Sequence, residues 1–252
     1  PLMIVIAVLL SITAFADIGE WEYMDRPHKI GKVEEISIGY RVVNNDTTFY
    51  TFAAVSSDSG MLYISANNGI DWVKRHYKVD HWHNRVVMKK TDARYGWTLV
   101  PSNDGNTDSD AGPYRTENIG LNWYRRDNGL LDSKKLYALA ADQSSSTLDT
   151  AYVGCEGNDD NDKDLLFKTT NGGTTWFQSQ TGLPDTFGTV YDIRISENNP
   201  NYVYCIFEGD TLSGVYRSAN AGVSWSKIEI IPDNDSLETA MAIGVSDEFP
   251  NE

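Results

Sequence analysis

One eight-residue pattern occurs four times in this chain and constrains its fold more than any other feature. The copies span 65–72, 116–123, 169–176 and 218–225, and each reads Ser or Thr, any, Asn, any, Gly, any, polar, Trp. The pattern predicts a tight turn between two strands, since Asn accepts bonds from N–H groups two residues on and Gly takes a positive φ. The hydroxyl bonds within the turn, and the Trp begins the next strand. The turn residues are Asn67, Gly69, Trp72, Asn118, Gly120, Trp123, Asn171, Gly173, Trp176, Asn220, Gly222 and Trp225.

The spacing of these turns predicts the architecture. Their tryptophans follow one another at intervals of 51, 53 and 49 residues. A period near 50 with one turn per repeat is typical of the four-stranded blades of a β-propeller. Trp21 lies 51 residues before Trp72, and the apolar stretch 240–246 resembles the start of another blade. We therefore expect an all-β propeller of four full four-stranded blades plus partial first and last blades, in an incomplete ring.

The strands of each blade can be placed from alternating apolar runs between turn signals. The predicted inner strands are 33–38, 85–90, 135–141 and 190–195, and the predicted second strands are 51–56, 95–100, 150–154 and 202–207. The third strand of each blade leads into the repeated turn and the fourth follows it. This order puts all four turns on one face, with the loops between first and second strands.

The four turns resemble the Asp-box (BNR) repeat of sialidases, xyloglucanase-type glycoside hydrolases, sortilin-like receptors and secreted bacterial propeller proteins. All four carry Asn where that family most often has Asp, a change that keeps the turn chemistry. The resemblance runs from about Trp21 to the end and implies the propeller fold, so the predicted partial propeller spans residues 17–252. It implies less about activity, because enzymes and binding proteins share the repeat. In the enzymes of this family the active site lies on the face opposite the boxes.

The first sixteen residues resemble a secretory signal peptide that lacks its start. Residues 2–16 form an uncharged apolar run, and Ala14-Phe15-Ala16 fits the small-x-small cleavage rule. We therefore expect a secreted or cell-surface bacterial protein with no membrane span in the mature chain. With 21 Lys and Arg against 36 Asp and Glu, the net charge is −15, which argues against nucleic acid as a partner.

Two acidic loops are candidates for binding calcium. They join second to third strands on the face opposite the boxes and contain Asp104, Asp108 and Asp110 in blade two and Asp159, Asp160 and Asp162 in blade three. Closely spaced carboxylates suit Ca²⁺, although the spacing fits no EF-hand loop. The alternative is a solvated polar hairpin tip. No other cofactor is indicated.

The crossing from blade one to blade two is the candidate ligand-binding stretch. It contains Asp80, His81, Trp82 and His83, and three of the four histidines of the chain lie between residues 76 and 83. His81 and His83 would share one strand face and could bind a transition metal. Alternatively, Trp82 with its polar neighbours could stack on a sugar ring, or the stretch is an ordinary polar strand.

Cys155 and Cys205 lie 50 residues apart at equivalent positions of neighbouring blades. Such positions usually lie further apart than the roughly 7 Å between Cα atoms that a disulfide tolerates. We therefore predict two buried or half-buried free thiols.

The sequence contains no complete catalytic set. Sialidases resemble one another in an early Arg-Ile-Pro stretch, whereas Arg26-Pro27 lacks the Ile. Xyloglucanase-type enzymes carry a Thr-Asp-Ile-Gly-Gly element where this chain has Ser65 to Gly69, which removes an aspartate. The leading hypothesis is a secreted module that binds an extracellular glycan or protein. The alternative is a glycoside hydrolase whose catalytic carboxylates lie partly outside this sequence.

Overall fold

The computed structural model describes residues 32–56, 61–77, 83–101, 110–130, 135–157, 164–209, 212–228 and 243–245. It contains sixteen strands and, in these ranges, no helix. The strands are β1 (Lys32–Val43), β2 (Asp46–Ser56), β3 (Met61–Ser65), β4 (Val73–Tyr77), β5 (Arg85–Met88), β6 (Gly96–Val100), β7 (Gly112–Thr116), β8 (Tyr124–Arg125), β9 (Leu136–Ala141), β10 (Ala151–Cys155), β11 (Leu166–Thr169), β12 (Phe177–Gln178), β13 (Gly188–Ile195), β14 (Val203–Gly209), β15 (Gly214–Ser218) and β16 (Ser226–Lys227).

The strands form four sheets of four, each built from consecutive antiparallel strands. The innermost strands β1, β5, β9 and β13 neighbour one another from blade to blade. This is the all-β propeller that the repeat spacing predicts, and the fold prediction is confirmed. The predicted signal peptide (1–16) and the strand at Trp21 lie outside the described residues.

The hydrophobic core lies between the blades rather than within them. One cluster joins Phe52 and Leu62 of blade one to Met88 of blade two. A second joins blades two and three around Trp97, and a third joins blades three and four around Phe207. A single blade cannot bury its apolar face alone, so each pair of neighbours is a structural unit.

The hairpin of β1 and β2 is longer than predicted. Its two strands stay paired from Lys32↔Ser56 to Val43↔Asp46, whereas the apolar alternation predicts strands over 33–38 and 51–56 alone. The strands turn at Asn44 and Asn45, whose φ angles of 52° and 67° are those of a type I′ hairpin turn. The Asn-Asn pair, which follows Val42-Val43 and precedes Asp46, is the signal that the prediction missed.

Residues 243–245 lie beside β13, where a fifth inner strand is expected. The Ile243 N–H donates to Asp192 Oδ2 at 2.9 Å, and Arg194 Nε donates to the Ile243 carbonyl at 3.1 Å. The same connection joins blades one and two, where the Val86 N–H donates to Glu35 Oε2 at 2.8 Å. Only these three residues of the predicted strand 240–246 are described.

Both cysteines are free and buried, as predicted. Cys155 lies in the core between blades two and three, and Cys205 in the next core. Burial raises the pKa of the Cys205 thiol, so the thiol stays protonated and unreactive. No described helix is long and apolar enough to cross a membrane.

Candidate functional site

The predicted ligand-binding stretch is described only at its end. Asp80, His81 and Trp82 lie outside the described residues. The His83 side chain is fully buried, and its Nδ1 lies 2.8 Å from the Thr98 hydroxyl oxygen. The structure therefore places His83 in the interior of blade two, and the binding role of the stretch stays a prediction.

Of the six calcium candidates, the structure describes Asp110 alone. Asp104, Asp108, Asp159, Asp160 and Asp162 lie outside the described residues. The Asp110 carbonyl accepts a 2.8 Å bond from the Tyr114 hydroxyl. Within the described ranges no group of three His, Cys, Asp or Glu side chains is placed to hold a metal ion. The calcium hypothesis also stays a prediction.

The four boxes have one hydrogen-bond pattern. In the third box, the Thr169 hydroxyl accepts a 3.0 Å bond from the Gly173 N–H and donates to Asn171 Oδ1 at 2.9 Å. Asn171 Oδ1 also accepts the Thr175 N–H at 3.0 Å, four residues on rather than the two expected from the sequence. The other boxes repeat these bonds, and their glycines have φ of 69° to 84°. The bonds of the hydroxyl and of the Asn carbonyl oxygen stay within the turn, so they define a folding element.

A cluster of polar and aromatic side chains lies where the innermost strands of blades two, three and four meet, on the face opposite the boxes. We call it the mouth cluster: Arg85, Lys135, Tyr137, Glu156 and Tyr191. The pairing of Ala151 with Thr169 puts the start of β10 at the box face, so Glu156, just after β10, lies at the opposite face. Lys135 precedes β9 and Arg85 begins β5 at the same end.

The two tyrosines of the mouth cluster form a pair. Their ring centroids are 5.2 Å apart at an interplanar angle of 68°, an edge-to-face contact. The Tyr137 hydroxyl donates to Glu156 Oε2 at 2.8 Å, and Lys135 Nζ lies 3.4 Å from the same oxygen. Burial and the bond to Glu156 raise the pKa of Tyr137, so its hydroxyl stays protonated. All four side chains are half-buried and so can contact a ligand.

Arg85 of the mouth cluster links blade two to blade four. Its guanidinium donates to the Asn84 carbonyl at 2.8 Å and to the Tyr191 carbonyl at 3.3 Å. Arg85 therefore fixes the main chain beneath the tyrosine pair. Asn84 extends the connection to blade three through a 3.3 Å bond to the Leu136 carbonyl.

Two carboxylates of the innermost strands, Glu35 and Asp192, bond to the main chain of the segment that follows. Glu35 accepts the Val86 N–H of β5, and Asp192 accepts the Ile243 N–H. Arg194 lies between the two carboxylates, 3.9 Å from Glu35 Oε1 and 3.3 Å from Asp192 Oδ1. Burial raises the pKa of Glu35, while the nearby Arg85 partly offsets that rise. Both carboxylates thus have structural partners rather than an open side facing a reactant.

The structure contains a second repeated element, which the sequence prediction did not include. The Asn128 carbonyl accepts the Trp176 N–H at 2.9 Å, and the Thr181 carbonyl accepts the Trp225 N–H at 2.8 Å. Each belongs to a tripeptide, Asn128-Gly129-Leu130 or Thr181-Gly182-Leu183, that begins five residues after a box tryptophan. The repeated Gly-Leu was the available signal. The first carbonyl of each tripeptide therefore binds the tryptophan that precedes the outer strand of the next blade.

No protein-family model and no curated protein matches the chain. Among solved structures it is similar to a GH74 enzyme of Niastella koreensis, with a TM-score of 0.53 and 18% identity over 77% of this chain and 30% of that one. It is also similar to an ancestral GH74 enzyme, with a TM-score of 0.52 and 20% identity over 79% of this chain and 24% of that one. YCF48 bound to D1 peptide aligns with a TM-score of 0.37 and 10% identity over 80% and 84% of the two chains.

The chain therefore spans about a quarter to a third of the two GH74 enzymes it matches. At these identities the likeness shows the propeller fold alone. The class of protein is a β-propeller, and the site has to be interpreted from its own residues.

Proposed function

We propose that this chain belongs to a secreted propeller that binds an extracellular glycan or protein with the face opposite its boxes. The observation that carries the proposal is the tyrosine pair of the mouth cluster. Tyr137 and Tyr191 are both half-buried on neighbouring innermost strands, with Glu156 and Lys135 beside them.

The chemistry of this cluster suits recognition. A half-exposed tyrosine ring offers an apolar face for stacking with little side-chain entropy to lose. The protonated Tyr137 hydroxyl, the Glu156 carboxylate and the Lys135 ammonium supply hydrogen-bonding groups at the edge of that face. An aromatic platform with polar groups around it fits a sugar ring or the side chain of a partner protein.

Binding is favoured over hydrolysis because of what the carboxylates do. A glycosidase needs two carboxyl groups that flank the scissile bond. Glu35 accepts the Val86 N–H of β5, Asp192 accepts the Ile243 N–H, and Glu156 accepts the bond from the Tyr137 hydroxyl. The glycoside-hydrolase alternative therefore has no specific support among the described residues, and hydrolysis is included as an outcome of the test.

The test is calorimetric binding of neutral and acidic oligosaccharides, with chromatography of the same mixtures for released sugars. We expect binding without release. Tyr191→Ala should weaken binding by about tenfold or more, because a central aromatic anchor is lost. The matched variant Tyr191→Phe keeps the ring and should bind nearly as the parent does. If sugars are released, and Glu35→Gln or Asp192→Asn stops the release, the binding-only proposal is wrong.

A further inference from the structure

In blade two, a cation links the third strand to the next blade. Arg115, the residue before the box hydroxyl, lies over the Trp97 ring with its guanidinium carbon 5.8 Å from the ring centroid. The guanidinium donates to Asp149 Oδ1 at 2.7 Å and to the Thr147 carbonyl at 2.8 Å, both in blade three. Arg115 thus fills the space between the two blades near the box face.

Blade three repeats the arrangement with a lysine. Lys168 stands before its box hydroxyl, lies 5.5 Å from the centroid of the Tyr152 ring, and donates to the Ala221 carbonyl of blade four at 2.7 Å. In both blades the cation and the ring are directly opposite in the ladder between the second and third strands. A cation over an aromatic ring is therefore the regular filling of this space.

Blade one has no such cation. Ile64 occupies the position of Arg115 and Lys168, opposite Phe52 in the ladder. In place of the inter-blade link there is an open pocket of about 380 Å³. Ile64 and Leu121 give it apolar walls, Tyr50 gives it an aromatic ring, and Asp71 and Arg75 contribute one charge of each sign.

The pocket adjoins an unpaired strand edge. β3 pairs with β2 only as far as Thr51↔Ser65, whereas β1 and β2 stay paired out to Val43↔Asp46. Among the described residues, no strand pairs with 46–50 on the side of β2 where β3 has ended. The main chain of 46–50 is therefore a template that another extended chain can continue.

We propose that this edge and pocket form a docking site for an extended, cationic segment of a partner protein. The main chain of the segment pairs with residues 46–50, continuing the β2–β3 ladder, and a Lys or Arg side chain enters the pocket. Main-chain pairing with a pocket for alternate side chains is a common mode of peptide recognition. A glycan has no regular row of donors and acceptors to satisfy the edge.

Charge complementarity selects the cation. The chain carries a net charge of −15. Among the described residues, the Asp71 carboxylate in the pocket accepts a 2.7 Å bond from Asn67 alone, so it retains acceptor capacity. The apolar walls cover the aliphatic stem of a Lys or Arg side chain, whose charged end then meets Asp71. Arg75 is exposed on β4 and is the one opposing charge of the lining, so its removal should tighten binding.

The test is fluorescence anisotropy with a labelled Thr-Val-Lys-Val-Thr peptide on the full chain. We expect saturable binding that weakens as salt rises, and no binding by the same peptide with Glu in place of Lys. Ile64→Arg supplies the cation that blades two and three carry, and it should abolish binding by filling the pocket. Equal binding of the Lys and Glu peptides would contradict the proposal, as would unchanged binding to a folded Ile64→Arg variant.

Two further variants keep the proposal testable if Ile64→Arg does not fold. Asp71→Asn should weaken the Lys peptide about threefold, and Arg75→Glu should tighten it by a similar factor. Asn122 stands at the position of Asp71 in the second box, so Asp71→Asn imports a side chain that this turn already accepts. If neither variant shifts the affinity, or if a neutral oligosaccharide displaces the peptide, the pocket is not a site for cationic peptides.

Discussion

The first and third boxes have the same internal bonds in different surroundings. The N–H of Gly69 donates to the Ser65 hydroxyl at 2.9 Å, and the N–H of Gly173 donates to the Thr169 hydroxyl at 3.0 Å. The two glycines have φ of 84° and 78°. As turns, they are equivalent.

Their tryptophans show the difference. Trp72 is half-buried and donates to the carbonyl of Gly69 in its own box at 2.9 Å. Trp176 is buried, donates to the Arg126 carbonyl of the preceding blade at 2.7 Å, and meets the Trp97 ring edge-to-face at 5.8 Å. The comparison teaches that the turn forms by local bonds, whereas its contribution to stability comes from the blade against which it packs.

The largest expected effect is therefore on the tryptophans. Trp176→Ala should lower the free energy of unfolding by about 3–5 kcal/mol, because it leaves a cavity between two blades. Trp72→Ala should cost less than about 2 kcal/mol, since that ring is only partly buried. Urea denaturation of the two variants measures both values. Equal losses would show that the ring contributes through its own turn and not through the neighbouring blade.

Substitution of the box glycines should show the same difference between the two boxes, with smaller losses of stability. A Cβ at Gly173 would lie 2.6 Å from the Cβ of Arg126 and 2.8 Å from the Trp97 ring, whereas a Cβ at Gly69 would meet nothing closer than 3.8 Å. Both variants incur the strain of a positive φ, about 1 kcal/mol, and Gly173→Ala adds overpacking for a total of about 2–4 kcal/mol. In thermal unfolding, Gly173→Ala should have a melting temperature well below that of Gly69→Ala. If the two variants have the same melting temperature, the neighbouring side chains relieve the crowding without loss of stability. Backbone strain then accounts for the whole effect.

The sequence predicted the blades well because the signals that define them are local. A box ties its Asn, Gly and hydroxyl into one turn, and alternating apolar runs on either side place the strands within a few residues of those observed. The β1–β2 hairpin was predicted too short, since its turn rests on Asn44-Asn45 instead of the more familiar Asn-Gly.

Neither the mouth cluster nor the pocket could be predicted from the sequence, because both depend on packing between distant segments. In the mouth cluster, Arg85 contacts Tyr191, which lies 106 residues away in the sequence, and no local pattern predicts that contact. The pocket depends on a substitution between repeats, Ile64 where Arg115 and Lys168 stand. That difference is visible in the sequence just before each box. The sequence alone does not show that the missing cation leaves a pocket, because the cation fills a space between two blades.

The smallest expected effect concerns the residue between the Asn and Gly of each box. At this position one substitution should stabilise the chain, unlike the variants above. Ala221 has φ of 54° and the equivalent Asn68 has φ of 58°. Asn tolerates this left-handed region better than Ala, so Ala221→Asn should stabilise the chain by up to about 1 kcal/mol, and Asn68→Ala should destabilise it by a similar amount. The bonds at Ala221 from Tyr152 and Lys168 go to its carbonyl and are preserved in the variant. Calorimetric melting would detect both shifts. Two shifts of the same sign would mean that contacts with the neighbouring blade, and not the backbone angle, decide which residue this position prefers.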